Sequence, residues 1–202
     1  MDTLKHTQKV SFPFPLGYYC LCVLLYIIAL PFLIASSFRL KHKDSIPARF
    51  FPFFIKKLEY EPHYWFHACS FGEVKSLEPL INAFYNKSVN ILITTITHTG
   101  FNEAKRLYGN KADSKAHIIM RYLPFEIFLP LWSKQCKGLK TLVVTEAEMW
   151  KILFFMAKSH NAHTLLINAR ISQRSYKNYE RFAWFYQGIF ALIDEVLAQS
   201  HI

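Results

Sequence analysis

VNILITT (residues 89–95) and KTLVVT (residues 140–145) decide the fold. Each is a continuous apolar run rich in β-branched residues, without the alternation of a strand that keeps one face wet, so each reads as a strand buried on both faces of a parallel sheet. Working outward, similar runs lie at 64–69, 117–120, 164–168 and 195–198. Between them, stretches near 73–86, 100–109, 125–136, 148–160 and 175–191 carry apolar residues at helical spacing. Strands that alternate with helices predict an α/β fold, a Rossmann-like parallel sheet covered by helices. An open sheet of this kind binds ligands beyond the carboxyl ends of its strands, so chemistry is expected in the loops that follow them.

Ahead of this domain, LGYYCLCVLLYIIALPFLIASSF (residues 16–38) holds no charged residue. It is long enough for a helix to cross the roughly 30 Å hydrocarbon core of a bilayer. Pro31 is tolerated in a membrane span, and Tyr18 and Tyr19 stand near one end, where an aromatic belt would place them. Arg39, Lys41, Lys43, Arg49, Lys56 and Lys57 follow the run, against only Lys5 and Lys9 before it. That asymmetry predicts a single-pass anchor with the body of the protein in the cytoplasm. A secretory signal peptide is the competing reading, opposed by the length of the run and by the basic segment that follows at once. The expected organisation is a tail at 1–15, the anchor at 16–38, a basic aromatic juxtamembrane segment at 39–61 and the α/β domain at 62–202. The cations and rings of the third part would lie along the inner leaflet.

A net charge of +10 asks for an anionic partner, while 52% hydrophobic residues exclude a disordered polycation. Neither a zinc-finger spacing nor an RNA-recognition signature is present, so the chain is not expected to bind nucleic acid. GxGxxG and GxxxxGK[ST] are also missing, and no cofactor is expected. His63 and His67 would stand more than about 13 Å apart along a strand, too far to share an ion, so no metal site is expected. Cys20, Cys22, Cys69 and Cys136 show no metal-type spacing and read as reduced, packed thiols.

Four post-strand loops carry the candidate chemistry. Ser70-Phe71-Gly72-Glu73 follows a strand and opens a helix, where the dipole favours an ionised carboxylate able to take a proton from a sugar hydroxyl. An ordinary helix-start glutamate reads the same way. In ITTITHTG (residues 93–100), Thr97 and Thr99 lead into a helix whose free N–H groups suit an anion, and capping by threonine explains them nearly as well. Glu146 and Glu148 follow the next strand, and either could serve a cap or an arginine. Asn168, Arg170 and Ser172 come after the fifth, with a guanidinium suited to phosphate or carboxylate; a solvated basic loop is the alternative.

Taken together, FHACSFGEVKSLEPLI, ITTITHTG, YLPFE, VVTEAEMW, INARISQRSYKNY and VLAQS, in this order, resemble the 3-deoxy-D-manno-octulosonic acid (Kdo) transferases of lipopolysaccharide synthesis. The resemblance covers nearly the whole chain. It implies the amino-terminal half of a glycosyltransferase-B fold, in which one Rossmann-like domain receives the lipid A precursor and a second binds CMP-Kdo, and transfer inverts without a required metal. Glu73 falls on the glutamate taken as the catalytic base in the Ser-x-Gly-Glu block, beside Ser70 and Gly72. Glu146 and Glu148 match the Glu-x-Glu-x-Trp block, expected to orient the acceptor or support the base. Asn168, Arg170 and Ser172 match Asn-Ala-Arg-x-Ser, expected near acceptor phosphates or the cleft between domains. Lys151 departs from the family, which commonly has proline there. Because the last strand runs straight to the end of the chain, the expectation is a fragment lacking the donor-binding domain. A non-catalytic membrane protein that binds anionic lipid is the expectation from another class.

Overall fold

The structure, a computed structural model, describes residues 12–40, 42–109, 114–146, 149–170 and 173–199. Helix α1 (Leu16–Ser37) comes first, then α2 (Ser45–Phe50) and a 3-10 turn at Pro52–Phe54. The α/β unit follows in the order β1 (Tyr64–His67), α3 (Phe71–Ser76), α4 (Glu78–Asn82), β2 (Asn90–Thr95), α5 (His98–Tyr108) and β3 (His117–Tyr122). After a 3-10 turn at Glu126–Phe128 come α6 (Pro130–Ser133), β4 (Thr141–Thr145), α7 (Lys151–Ser159), β5 (His163–Ala169), α8 (Gln173–Arg181), α9 (Ala183–Phe190) and β6 (Glu195–Ala198).

The six strands form one sheet in the order β3-β2-β1-β4-β5-β6, and every pairing is parallel. The α/β expectation therefore holds. Two successive winds run outward from β1 on opposite sides, so the direction of the chain reverses between β1 and β4, where loops diverge and leave a crevice. Side chains alternate across the sheet. Trp65, Leu92, Leu142, Val144 and Leu166 enter the core under α7 with Trp132 and Phe154, while Phe66, Ile91, Ile93 and Val143 pack against Val74 of α3, Leu77 between α3 and α4, Ile81 of α4 and Ala104 of α5. Both faces are thus dry, which is why the central strands lack a polar face in the sequence.

Three helices expected as single units are divided. The stretch at 73–86 breaks at Leu77 into α3 and α4, with Pro79 in the first turn of α4, and Pro130 likewise opens α6 after the 3-10 turn. Proline is favoured in a first turn because it has no N–H to leave unpaired, and deeper in a helix it would break the ladder. The third, α8 and α9, parts at Phe182.

Helix α1 is long and apolar enough to cross a membrane. It also rests on the domain. The Tyr18 hydroxyl donates to Glu126, the Tyr19 hydroxyl donates to the Ile127 carbonyl at 2.9 Å and the Tyr26 hydroxyl donates to the Phe50 carbonyl at 2.8 Å. Its outer face, with Leu24, Ile28 and Phe32, is exposed. Segment 42–61 is stitched to the exit of the outer strand β3 and to α6: Arg49 Nε donates to the Leu123 carbonyl at 3.0 Å, and the Trp132 indole donates to the Lys56 carbonyl at 3.0 Å. Phe38 and Leu40, just past the end of α1, and Phe53 of the 3-10 turn nevertheless stay exposed.

Candidate functional site

The loop after β1 folds around Glu73. Ser70, in extended conformation, is the N-cap of α3, and its hydroxyl oxygen accepts from the Glu73 N–H at 3.4 Å. The same hydroxyl donates to Glu73 Oε1 at 2.7 Å. Glu73 Oε2 in turn accepts from the Cys69 N–H at 2.9 Å and from the Thr145 hydroxyl at 2.6 Å. Serine at the cap and glutamate three residues on make a reciprocal capping pair, which ties the turn into one conformation. The carboxylate does more than cap, because Thr145 belongs to β4 and the hydrogen bond bridges the crevice where the sheet reverses. Glu73 is 7% exposed, so it is mostly covered at the strand tips, with Oε1 accepting one of these hydrogen bonds and Oε2 two. Gly72, just ahead of it, has nothing within 4 Å of where a Cβ would stand, and Phe71 is exposed, so the surface beside the carboxylate is open.

The second loop is built onto the first. Thr97 caps α5 by accepting from the Gly100 N–H at 3.1 Å, and its hydroxyl donates to the Cys69 carbonyl at 2.7 Å. The Thr99 hydroxyl donates to Thr97 at 3.3 Å. Both threonines are therefore engaged in shaping the turn, though they remain exposed. Gly100 is required by a close approach: a Cβ there would stand 3.0 Å from the Cys69 oxygen and 3.3 Å from the Ser70 carbonyl carbon. Alanine gains about 1 kcal/mol of helix propensity, whereas overpacking against rigid backbone costs about 1–3 kcal/mol. Gly100→Ala is accordingly expected to lower stability by about 1 kcal/mol. Thermal unfolding of the variant checks this; an unchanged or raised midpoint would show that the two loops part easily.

Beneath these loops lies a buried polar cluster that the sequence did not announce. The Trp65 indole donates to Thr94 Oγ1 at 2.8 Å, and Thr94 Oγ1 is 2.9 Å from His67 Nδ1. With the indole supplying one proton, the threonine O–H is free to donate to Nδ1 of a neutral imidazole. Burial, aided by the Arg49 charge, pushes the His67 pKa down to about 3. His67 is thus a neutral structural ring and not a proton acceptor for substrate.

Across the reversal, Glu146 (φ 57°), just after β4, and Asn168 (φ 55°), the second-last residue of β5, lie in the left-handed region. The Glu146 N–H donates to the Ile167 carbonyl at 2.9 Å, and the β5–β6 register slips between Ile167 and Ala169. Asparagine tolerates this backbone better than glutamate, for which it costs on the order of 1–2 kcal/mol. Glu146 and exposed Arg170 line one cleft of about 260 Å³ at the tips of β4, β5 and β6, with Met149 and Tyr179. Ser70, Glu73, Thr97 and Thr99 therefore form one group, Glu146, Asn168 and Arg170 a second, and Thr145 links them. Glu148 and Ser172 lie outside the described residues. Among the described residues, no three His, Cys, Asp or Glu side chains converge so as to hold a metal ion.

A family model described as 3-deoxy-D-manno-octulosonic-acid transferase (kdotransferase) matches residues 44–202. The chain is 31% identical over 153 residues to a bifunctional glycosyltransferase/methyltransferase of Fusobacterium nucleatum, covering 72% of this chain and 22% of that protein. It is 30% identical over 145 residues to the 3-deoxy-D-manno-octulosonic acid transferase of Bordetella pertussis, covering 67% and 32% of the two chains. The transferase of the same name from Chlamydia pneumoniae is 29% identical over 187 residues, 89% of this chain and 41% of the relative. The matched region thus spans between 22% and 41% of the length of these relatives. No solved structure matches.

Proposed function

Because the chain belongs to the Kdo transferase family of glycosyltransferases, we propose that it supplies the acceptor-binding half of an enzyme that moves Kdo from CMP-Kdo to the lipid A precursor. The observation that carries this reading is the Glu73 carboxylate, fixed by Cys69, Ser70 and Thr145 at the crevice between β1 and β4. Glu73 accepts the proton of an acceptor sugar hydroxyl as that oxygen forms a bond to the anomeric carbon of Kdo. The bond from that carbon to the CMP phosphate breaks, and CMP leaves with the electron pair. Glu146, Asn168 and Arg170, one loop across the sheet, orient the acceptor or face the donor-binding domain, and Glu148 and Ser172 are assigned with them from the family blocks. That second domain, which the family resemblance implies, is where CMP-Kdo is held; exposed Val196 and Leu197 of the outer strand β6 are consistent with a neighbour there.

Incubating native membranes that contain the protein with CMP-Kdo and lipid A precursor tests the reading. A glycolipid heavier by Kdo is the expected product. Absence of any such glycolipid, with CMP released no faster than in membranes lacking the protein, would overturn it and favour a lipid-binding role alone.

Attachment to the inner membrane through α1, with the domain on the cytoplasmic side, completes the proposal and is supported by the cations that follow the helix. In spheroplasts, with native cysteines replaced by serine, Lys115→Cys is expected to resist an impermeant thiol reagent added outside. Labelling at that exposed position would place the domain on the other side. A companion Thr3→Cys reads the path of α1. Labelling there reports a crossing helix whose first turn has left Glu126 and Ile127, and protection reports a helix that stays on the domain.

A further inference from the structure

A second cleft, of about 610 Å³, lies between the segment that follows α1, helix α5 and the outer strand β3. Its walls carry Lys43, Lys56, Lys105 and Arg121 against one carboxylate, Asp44. Asp44 leans toward His98, 3.9 Å away. Among the described residues, Lys43, Lys56 and Lys105 form no salt bridge, and Lys105 stands 4.8 Å from the centre of the Phe101 ring. Arg121 gives one terminal nitrogen to Glu59 at 2.6 Å and the other to the Met120 carbonyl at 2.8 Å. Its Nε is buried and has no hydrogen-bond partner. Lys43, Lys56 and Lys105, like-charged and outside any salt bridge among the described residues, raise the local potential for an anion in this concave site and hold donors in reserve for it.

The rest of the cleft points to what carries that anion. Phe54, Phe101, Tyr122 and Trp132 also line the cleft, Phe54 is itself exposed, and its neighbour Phe53 is 98% exposed. The same segment is tied to α1 through the hydrogen bond from Tyr26 to Phe50. A free ion has no use for this apolar lip, whereas a phosphate attached to acyl chains uses both parts. The cleft also shares helix α5 with the Glu73 loop: His98 lines it, and Thr97, one residue earlier, donates to the Cys69 carbonyl.

We propose that this cleft seats a phosphate of the anionic glycolipid acceptor, held by Lys56, Lys105 and Arg121, while the sugar extends along α5 toward Glu73. The assignment rests on the reading of the substrate as a phosphorylated lipid at the bilayer surface. It adds residues outside the family blocks to the acceptor site.

The full chain in phosphatidylcholine nanodiscs provides the test, with lipid A precursor or its dephosphorylated form added to the bilayer. Wild type is expected to bind the phosphorylated form, and the double variant Lys56→Ala, Lys105→Ala to lose about tenfold or more in affinity. Lys87→Ala, Lys137→Ala, which removes the same charge elsewhere, is expected to bind as wild type. Equal loss in both double variants would reduce the effect to net charge and overturn the site. Equal binding of the dephosphorylated lipid would overturn the ligand, and competition by millimolar inorganic phosphate would replace the lipid by a free anion. If the phosphate-dependent, Lys56- and Lys105-dependent binding is present but membranes make no Kdo-bearing product, the cleft stands and the transferase reading fails. The reverse pattern removes the cleft alone.

Discussion

Glu73→Gln is expected to lower Kdo transfer by about 10²- to 10⁴-fold, the range that a positioned general base contributes, while the protein folds and binds lipid as before. Glutamine has the shape of glutamate. Its amide oxygen can accept from the Cys69 N–H and the Thr145 hydroxyl, and its amide nitrogen can face the Ser70 oxygen, so each of the three contacts has a neutral substitute. What the amide cannot do is accept the proton of a sugar hydroxyl. Turnover measured at saturating acceptor, in native membranes with the donor-binding half present, isolates that step. A variant that kept more than about a tenth of wild-type turnover would sit below the smallest of these effects and would leave Glu73 as a cap. Folded protein without turnover, by contrast, separates the chemical role from the structural one, because the capping pair survives the substitution.

Glu126→Gln is expected to raise stability at pH 8 and to remove most of its pH dependence between about 4.5 and 7. Burial pushes the Glu126 pKa up to about 7, against the opposing pull of the Tyr18 hydroxyl, the Ile152 N–H and the Lys151 charge. Its Oε1 accepts from the Ile152 N–H at 2.6 Å, at the start of α7, where Trp150 offers no side-chain cap. In the unfolded chain the carboxyl ionises near 4.5. Between the two values the folded state holds a proton that the unfolded state has lost, so stability falls as pH rises through this window and is flat above it. A gap of this size amounts to on the order of 3 kcal/mol. Glutamine satisfies Ile152 without burying charge. Thermal unfolding of the detergent-solubilised protein at pH 5 and pH 8 is the measurement. A variant less stable than wild type at pH 8 would mean that the ionised carboxylate and Lys151 stabilise each other more than burial disfavours them.

The central strands could be read almost residue by residue. Both faces of β2 and β4 are buried, so nearly every position had to be apolar, and the hydrophobic effect left its mark as a continuous run. Helix limits were less legible, and the starts of α4 and α6 at Pro79 and Pro130 went unread. The break at Phe182 has no comparable residue, and nothing in the structure explains it. Ser70 and Glu73 could be found because a cap and its partner lie three residues apart. Their hydrogen-bonding partner Thr145 lies 72 residues away and could not. The same distance problem hid the Trp65–Thr94–His67 cluster and the capture of Ile152 by Glu126. Basic residues 43 and 56 read as a surface apron, and only their apposition to Lys105 and Arg121 across β3 turns them into a cleft.

By itself, then, the sequence determined the secondary elements of the sheet, the apolar helix ahead of it, and the short motifs whose members are bonded to near neighbours. Those features follow from local periodicity and from burial, which act on consecutive residues. Tertiary structure alone decided the strand order, and with it which two loops face each other across the reversal between β1 and β4. Pairing of parallel strands joins segments far apart in the chain, and the side chains that meet there, Glu73 with Thr145, leave no periodic trace of each other.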